Sequence, residues 1–186
     1  MGEAAKKPVF TADDYLAWEP QQTERHEFLH GEVFAMAGAE DRHVMVAGNL
    51  YMQLRQHLRG SPCKTYMSDM RLQVAASNCY FYPDVLVTCS AHDAASSSVK
   101  TEPTLIAEVL SPSTAAYDRG LKFSHYRNLD SLQEYALIDL DTRCTDVYRI
   151  GADGLWVLHP FAAGNTVHLA SVGLNITAEQ LFAEVN

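Results

Sequence analysis

Thr104-Leu105-Ile106-Ala107-Glu108-Val109-Leu110, followed at once by Ser111-Pro112-Ser113-Thr114, is the stretch on which the fold of this chain turns. The first seven residues are apolar almost throughout, as in a strand covered on both faces. Pro112 cannot continue a sheet ladder, and Thr114 can cap a helix that reaches to about Asn128. Inside the apolar run stands one acid, Glu108. Upstream, Phe81-Tyr82-Pro83-Asp84-Val85-Leu86-Val87 repeats the situation with Asp84.

Working outward, Gln133 to Asp139 alternates as a further strand, and strand-like segments at about 64–75 and 80–88 are joined by the turn-forming Ser77-Asn78. Val44, Ala47, Leu50, Leu54 and Leu58 recur at helical spacing, so residues from about 43 form a helix ended by Gly60. The order helix, strand, strand, strand, helix, strand across 43–139 predicts a mixed sheet flanked by helices, an α/β or α+β core. Before it, Thr11 and Asp14 open a short helix, and residues 26–36 form a hairpin turning at His30-Gly31. After it, residues 143–171 give three short strands, and Thr177 caps a last helix to about Glu184. Residues 90–100 are small, polar and without period, and read as a mobile surface loop. No repeat or linker divides the chain, so one domain spanning 1–186 is expected.

Composition narrows the function. The chain has 186 residues, 47% apolar and 20% charged, with a net charge of −9, which suits a globular domain and not a non-specific coat for nucleic acid. The four cysteines, Cys63, Cys79, Cys89 and Cys144, lack the close spacing of a zinc knuckle or redox dithiol. Buried free thiols are therefore expected, and with no export signal visible a cytoplasmic setting follows. The uncharged stretch from Gly154 to Ala178 is long enough to span a bilayer, but Pro160, Gly164 and Gly173 divide it into β-like pieces.

The chemistry rests on the two strand acids. A carboxylate in a buried strand costs several kcal/mol unless it is paired, hydrogen-bonded or bound to a cation. Asp84 and Glu108 lie 24 residues apart on segments that could be neighbouring strands, where both could converge on one hard cation such as Mg²⁺. Downstream, Asp118, Lys122 and Tyr126 share one helix face. Spacing alone reads Asp118–Lys122 as a surface ion pair, with a lysine serving a phosphate as the other reading. His26, His30 and His125 have no ligand spacing in the sequence.

Tyr82-Pro83-Asp84, then Glu108-Val109-Leu110-Ser111-Pro112-Ser113-Thr114, then Asp118, Lys122 and Tyr126, then Glu134-Tyr135-Ala136-Leu137-Ile138-Asp139 occur in the order of a known signature. With His26-Glu27-Phe28-Leu29-His30-Gly31-Glu32 and His43 upstream, the chain resembles the Uma-type family of the PD-(D/E)XK nuclease superfamily across about residues 11–140. The resemblance implies a restriction-endonuclease-like fold and a Mg²⁺- or Mn²⁺-dependent endonuclease that cuts DNA with a metal-bound water. Asp84, Glu108 and the Val109 carbonyl would then hold the metal, and Glu27 and His43 would be additional site residues. The superfamily lysine is expected at position 110, which is leucine here, and Lys122 is its implied substitute. A homodimer would suit the cutting of two strands. Two other readings stand beside this one: an inactive nuclease-fold binding module, and a metal-dependent hydrolase of a small phosphorylated molecule.

Overall fold

The computed structural model describes residues 10–36 and 38–185. It opens with α1 (Ala12–Trp18), whose capping box joins Thr11 and Asp14 as the sequence predicts. The hairpin of β1 (His26–Leu29) and β2 (Glu32–Ala35) turns at His30 and Gly31, with φ of 50° and 94°, the left-handed pair that a two-residue hairpin loop requires. Helix α2 (Asp41–His57) buries Val46, Ala47, Leu50 and Leu54. Val44, expected on that buried face, is exposed in the first turn, and Val46 occupies the core instead.

Next come β3 (Lys64–Met67), β4 (Arg71–Val74), β5 (Cys79–Phe81) and β6 (Val85–Thr88). The two long strands expected here are four short ones, because each segment crosses between two sheets. The first breaks at the turn after Met67, and the second at Pro83, which has no N–H for a ladder. Helix α3 (Ala91–Ala95) and β7 (Val99–Lys100) lie within the segment expected to be a mobile loop. They are held down by Asp93, a fully buried acid that accepts hydrogen bonds from the Thr101 and Glu102 amides, and by buried Lys100, whose ammonium donates to the Asp93 and Ser96 carbonyls.

Strand β8 (Pro103–Leu110) is the predicted buried strand, and it lies inside the larger sheet. A helical segment follows as α4 (Ala115–Tyr117), a π-helical turn (Asp118–Lys122) and α5 (Phe123–Tyr126). Then come β9 (Glu134–Asp139), β10 (Thr145–Ile150), β11 (Trp156–Phe161), β12 (Val167–Leu169), β13 (Leu174–Ile176) and α6 (Ala178–Leu181), the last with a Thr177–Gln180 capping box. The uncharged 154–178 stretch is therefore β-structure, and among the described residues no helix is long and apolar enough to cross a membrane.

The strands form a six-stranded sheet, β11-β10-β9-β8-β6-β3, a five-stranded sheet, β2-β1-β5-β4-β7, and the small β12-β13 pair. In the larger sheet β8 and β9 are parallel and the other pairs antiparallel. Alternate residues of β8 enter two cores, which is why the run is apolar on both faces. Leu105, Ala107 and Val109 pack with α2 and α6, while Ile106 and Leu110 pack with Phe123, Tyr126 and Phe81.

The expected free thiols need one correction. Cys63 and Cys89 form a disulfide. Strands β3 and β6 pair antiparallel with Lys64 opposite Thr88, which brings the flanking cysteines face to face. A separation of 26 residues carries no such signal; the strand register creates it. Cys79 and Cys144 are free thiols, and Cys79 is buried as predicted. With a disulfide present, cysteine usage no longer points to a reducing compartment.

Candidate active site

The register of β6 on β8 pairs Val85 with Ala107, and one step further sets Asp84 beside Glu108 at the edge where β6 begins. There the two acids and the backbone exchange hydrogen bonds. The Asp84 amide donates to Glu108 Oε2 at 3.1 Å, and the Val109 amide donates to Asp84 Oδ2 at 2.7 Å. Two steps along the same register Pro83 falls opposite Val109, and proline has no N–H to offer the Val109 carbonyl. The Pro83-Asp84 pair thus ends one strand, turns a carboxylate onto its neighbour, and withholds one ladder donor from a backbone carbonyl.

Glu108 sits on the same face of β8 as Leu110, under the α4–α5 segment. From that segment Lys122 reaches down to Glu108 Oε1 at 2.9 Å, and Tyr126 donates its hydroxyl to the same oxygen at 2.9 Å. Leu110 packs below Phe123 in the core, so a lysine at 110 would enter an apolar cluster. The lysine comes from the helix because the helix covers this face. Lys122 Nζ also lies 3.3 Å from Glu27 Oε1 and 3.6 Å from Asp118 Oδ1. The Asp118–Lys122 pair expected at the surface is buried, with both side chains under a tenth exposed.

The π-turn at Asp118–Lys122 adds a residue to the helical repeat within this segment, the kind of irregularity that recurs at functional sites. The Tyr135 hydroxyl donates to the Asp118 carbonyl at 3.1 Å.

His43 lies in the first turn of α2, with Nε2 3.1 Å from Asp84 Oδ2. Burial opposes its protonation, but the hydrogen bond and charge of Asp84, with Glu108 and the Val109 carbonyl, raise its pKa above that of free histidine. The positive end of the helix is outweighed by carboxylates in contact. Burial pushes Lys122 down too, yet Glu108, Glu27 and Asp118 overcome it and hold the ammonium charged. Burial raises Glu108 to about 8 against the pull of Lys122, with Asp84 and Asp118 adding to the rise.

The structure thus brings Asp84, Glu108, Lys122, Glu27 and His43 together, with the Val109 backbone beside them. Sequence reasoning passed over two contributors. Spacing places Tyr126 on the Lys122 face and says nothing of its hydroxyl, which fixes Glu108. Glu19, fully buried, accepts from the Tyr82 hydroxyl at 3.0 Å and from the His26 amide at 2.9 Å, which braces the strand carrying Glu27 against the turn carrying Asp84. A buried acid at the end of a short helix has no sequence signature.

The donor set suits a hard divalent ion. It offers two carboxylates and a strand carbonyl, and among the described residues the contacts of the Asp84 carboxylate all fall on Oδ2, leaving Oδ1 for a ligand.

Mixed sheets flanked by helices, with an acid where one strand begins and a second on the adjoining strand, accord with a restriction-endonuclease-like fold. The chain belongs to the Uma2 family, described as "Putative restriction endonuclease", whose model matches residues 12–179. It is similar to the uncharacterized protein slr1290 of Synechocystis sp., at 36% identity over 179 residues covering 96% of this chain and 94% of that protein. It is also similar to the uncharacterized protein sll1609 of Synechocystis sp., at 40% identity over 160 residues covering 85% of this chain and 90% of that one. The fold matches a crystal structure from Anabaena variabilis, a protein described as a "putative nuclease belonging to DUF820", with a TM-score of 0.78 and 17% identity over 93% of this chain and 97% of that chain.

Proposed function

We propose that this protein is a Mg²⁺- or Mn²⁺-dependent endonuclease that hydrolyses phosphodiester bonds in DNA. The observation that carries the reading is the convergence of Asp84, Glu108 and Lys122 in one pocket, with Glu27 on its far side. Asp84, Glu108 and the Val109 carbonyl would hold the ion. When bound, Mg²⁺ supplies a Lewis acid that neutralises phosphate charge and lowers the pKa of a water. The chain's own residues do the rest. His43 and the Val109 amide fix Asp84 by its Oδ2, and Tyr126 fixes Glu108 by its Oε1. Lys122, held charged by three carboxylates, offers N–H donors to a phosphate oxygen, where developing negative charge is stabilised.

The net charge of −9 makes the backbone-neutralising component of DNA binding small, so a steep loss of activity with salt is expected only where a local basic face contributes. Arg119 adds little to such a face, since it is tied to Asp146 at 2.7 Å and Asp139 at 3.4 Å. The test is cleavage of single-stranded and duplex DNA with Mg²⁺ or Mn²⁺, wild type against Asp84→Asn. The expected result is metal-dependent cutting that falls at least a thousandfold in the variant while the circular dichroism spectrum is unchanged. Cutting at the wild-type rate by Asp84→Asn, or cutting by both in EDTA, would refute the assignment.

A further inference from the structure

Beyond the carboxylate pocket, one cluster of metal-binding side chains among the described residues remains without a role. His30 at the β1–β2 turn, Cys79 at the start of β5 and His125 in α5 place one ligand atom each within 4.8 Å of one another. Cys79 Sγ lies 3.9 Å from His125 Nδ1, and the His30 and His125 rings are 5.4 Å apart. His125 is 8% exposed, and Nε2 is buried with no hydrogen-bond partner. Among the described residues, the only hydrogen-bond contact of the ring is with the Cys79 sulfur. A buried imidazole without a conventional partner loses hydrogen bonds that water would have given it, so a ligand for the ring is the feature this pocket lacks.

We propose that His30, Cys79 and His125 form a second metal site, for a single Zn²⁺ ion. One thiolate and two imidazoles are a borderline-soft set that selects zinc over the hard ions expected at Asp84 and Glu108. Tetrahedral bonds to zinc would set sulfur and nitrogen about 3.6 Å apart and the two nitrogens about 3.3 Å apart, so the cluster closes on an ion by shifts of about an ångström. The fourth position is left to water, because His30 is at the surface. Binding removes the Cys79 thiol proton to solvent and replaces the S–H donated to the Ser77 carbonyl by a sulfur–zinc bond. Burial holds the empty thiol up at about 11, so zinc uptake at neutral pH releases close to one proton per ion.

The site is placed to act on the carboxylate pocket mechanically. Its ligands come from the hairpin that carries Glu27, from the strand that leads into Asp84, and from the helix that directly follows the Lys122 turn. The Phe81 ring bridges the two pockets, with its centroid 5.8 Å from the His125 ring and 6.0 Å from Lys122 Nζ. A zinc ion would pin these three elements together without touching the reacting groups.

The test is titration of the oxidised full-length protein, Cys144→Ser to remove the other free thiol, with Co²⁺ as a spectroscopic stand-in and Zn²⁺ as competitor. The expected result is thiolate-to-cobalt absorption that saturates at one thiolate-ligated Co²⁺ per chain, is abolished by Zn²⁺ and is unaffected by Asp84→Asn. Cys79→Ser should abolish the absorption, and His30→Asn should weaken binding about 100-fold or more. His30→Asn is the control for folding, since His30 is exposed and asparagine tolerates its φ of 50°. No thiolate absorption in the parent, absorption that survives Cys79→Ser, or full affinity in His30→Asn would each overturn the proposal. Loss of the absorption in Asp84→Asn would assign the ion to the carboxylate pocket and overturn it too. Because these readouts do not involve cleavage, they are independent of whether the protein cuts DNA.

Discussion

Lys122→Met tests the electrostatic design of the carboxylate pocket. The ammonium lies 2.9 Å from Glu108, 3.3 Å from Glu27 and 3.6 Å from Asp118, with its side chain 8% exposed. Methionine fills most of the same volume, so the packing loss is small and the change is mainly one of charge. Removing one partner of a buried ion pair typically costs about 3–5 kcal/mol, because the remaining charge is stranded. Here three carboxylates are stranded and Asp84 stands close by. A chain of this size loses about 2–4 °C in Tm for each kcal/mol, so a fall of roughly 6–20 °C is expected at pH 8. The penalty should shrink at pH 5.5, since burial already raises Glu108 and Asp118 above ordinary carboxylates and protonation relieves the repulsion. The second variant, Lys122→Met with Glu108→Gln, should recover part of the loss. In the metal-free protein the assay is thermal and urea unfolding at both pH values. Mn²⁺ titration should then show tighter binding in Lys122→Met, because a competing cation has gone, alongside lost cleavage. A Tm within 2 °C of wild type at pH 8, or an equal loss at both pH values, would refute the reasoning.

The raised Glu108 has its own linkage. The folded state binds a proton more tightly than the unfolded state, so this group stabilises the metal-free fold fully below about 4.5 and progressively less as pH rises to about 8. Urea midpoints should fall across that window in wild type, and Glu108→Gln should flatten the slope. Reduction of the Cys63–Cys89 disulfide, or Cys63→Ser, should destabilise by about 3–4 kcal/mol from the entropy of a 26-residue loop. Equal urea midpoints with and without reductant would show that the bond contributes nothing. Asp93→Ala removes the acceptor of the Thr101 and Glu102 amides and should cost about 2–4 kcal/mol, with faster hydrogen exchange confined to residues 91–102. Wild-type exchange in that variant would contradict the role of Asp93 as the anchor of this segment.

What could be read in the chain was what depends on neighbours in sequence. The apolar run of β8, the capping box at Thr11, the cap at Thr177, the hairpin at His30-Gly31 and the helix from about residue 43 are local matters of propensity and hydrogen bonding, and each is found close to where it is expected. Asp84 and Glu108 were also legible, because a charge inside an apolar strand conflicts with its surroundings wherever that strand packs. The adjacency of those acids, the burial of Lys122 against three carboxylates, the Cys63–Cys89 bond and the meeting of His30, Cys79 and His125 were not legible from spacing. Each is set by strand register or by the angle at which a helix crosses a sheet, and a shift of one residue would separate every one of these groups. The residues 90–100 illustrate the same division. Their composition is that of a loop, but a single buried carboxylate, Asp93, finds its donors eight and nine residues away only once the chain has turned back on itself. Sequence determines which groups need partners; the tertiary fold decides which partners they meet, because those contacts are made across space and not along the chain.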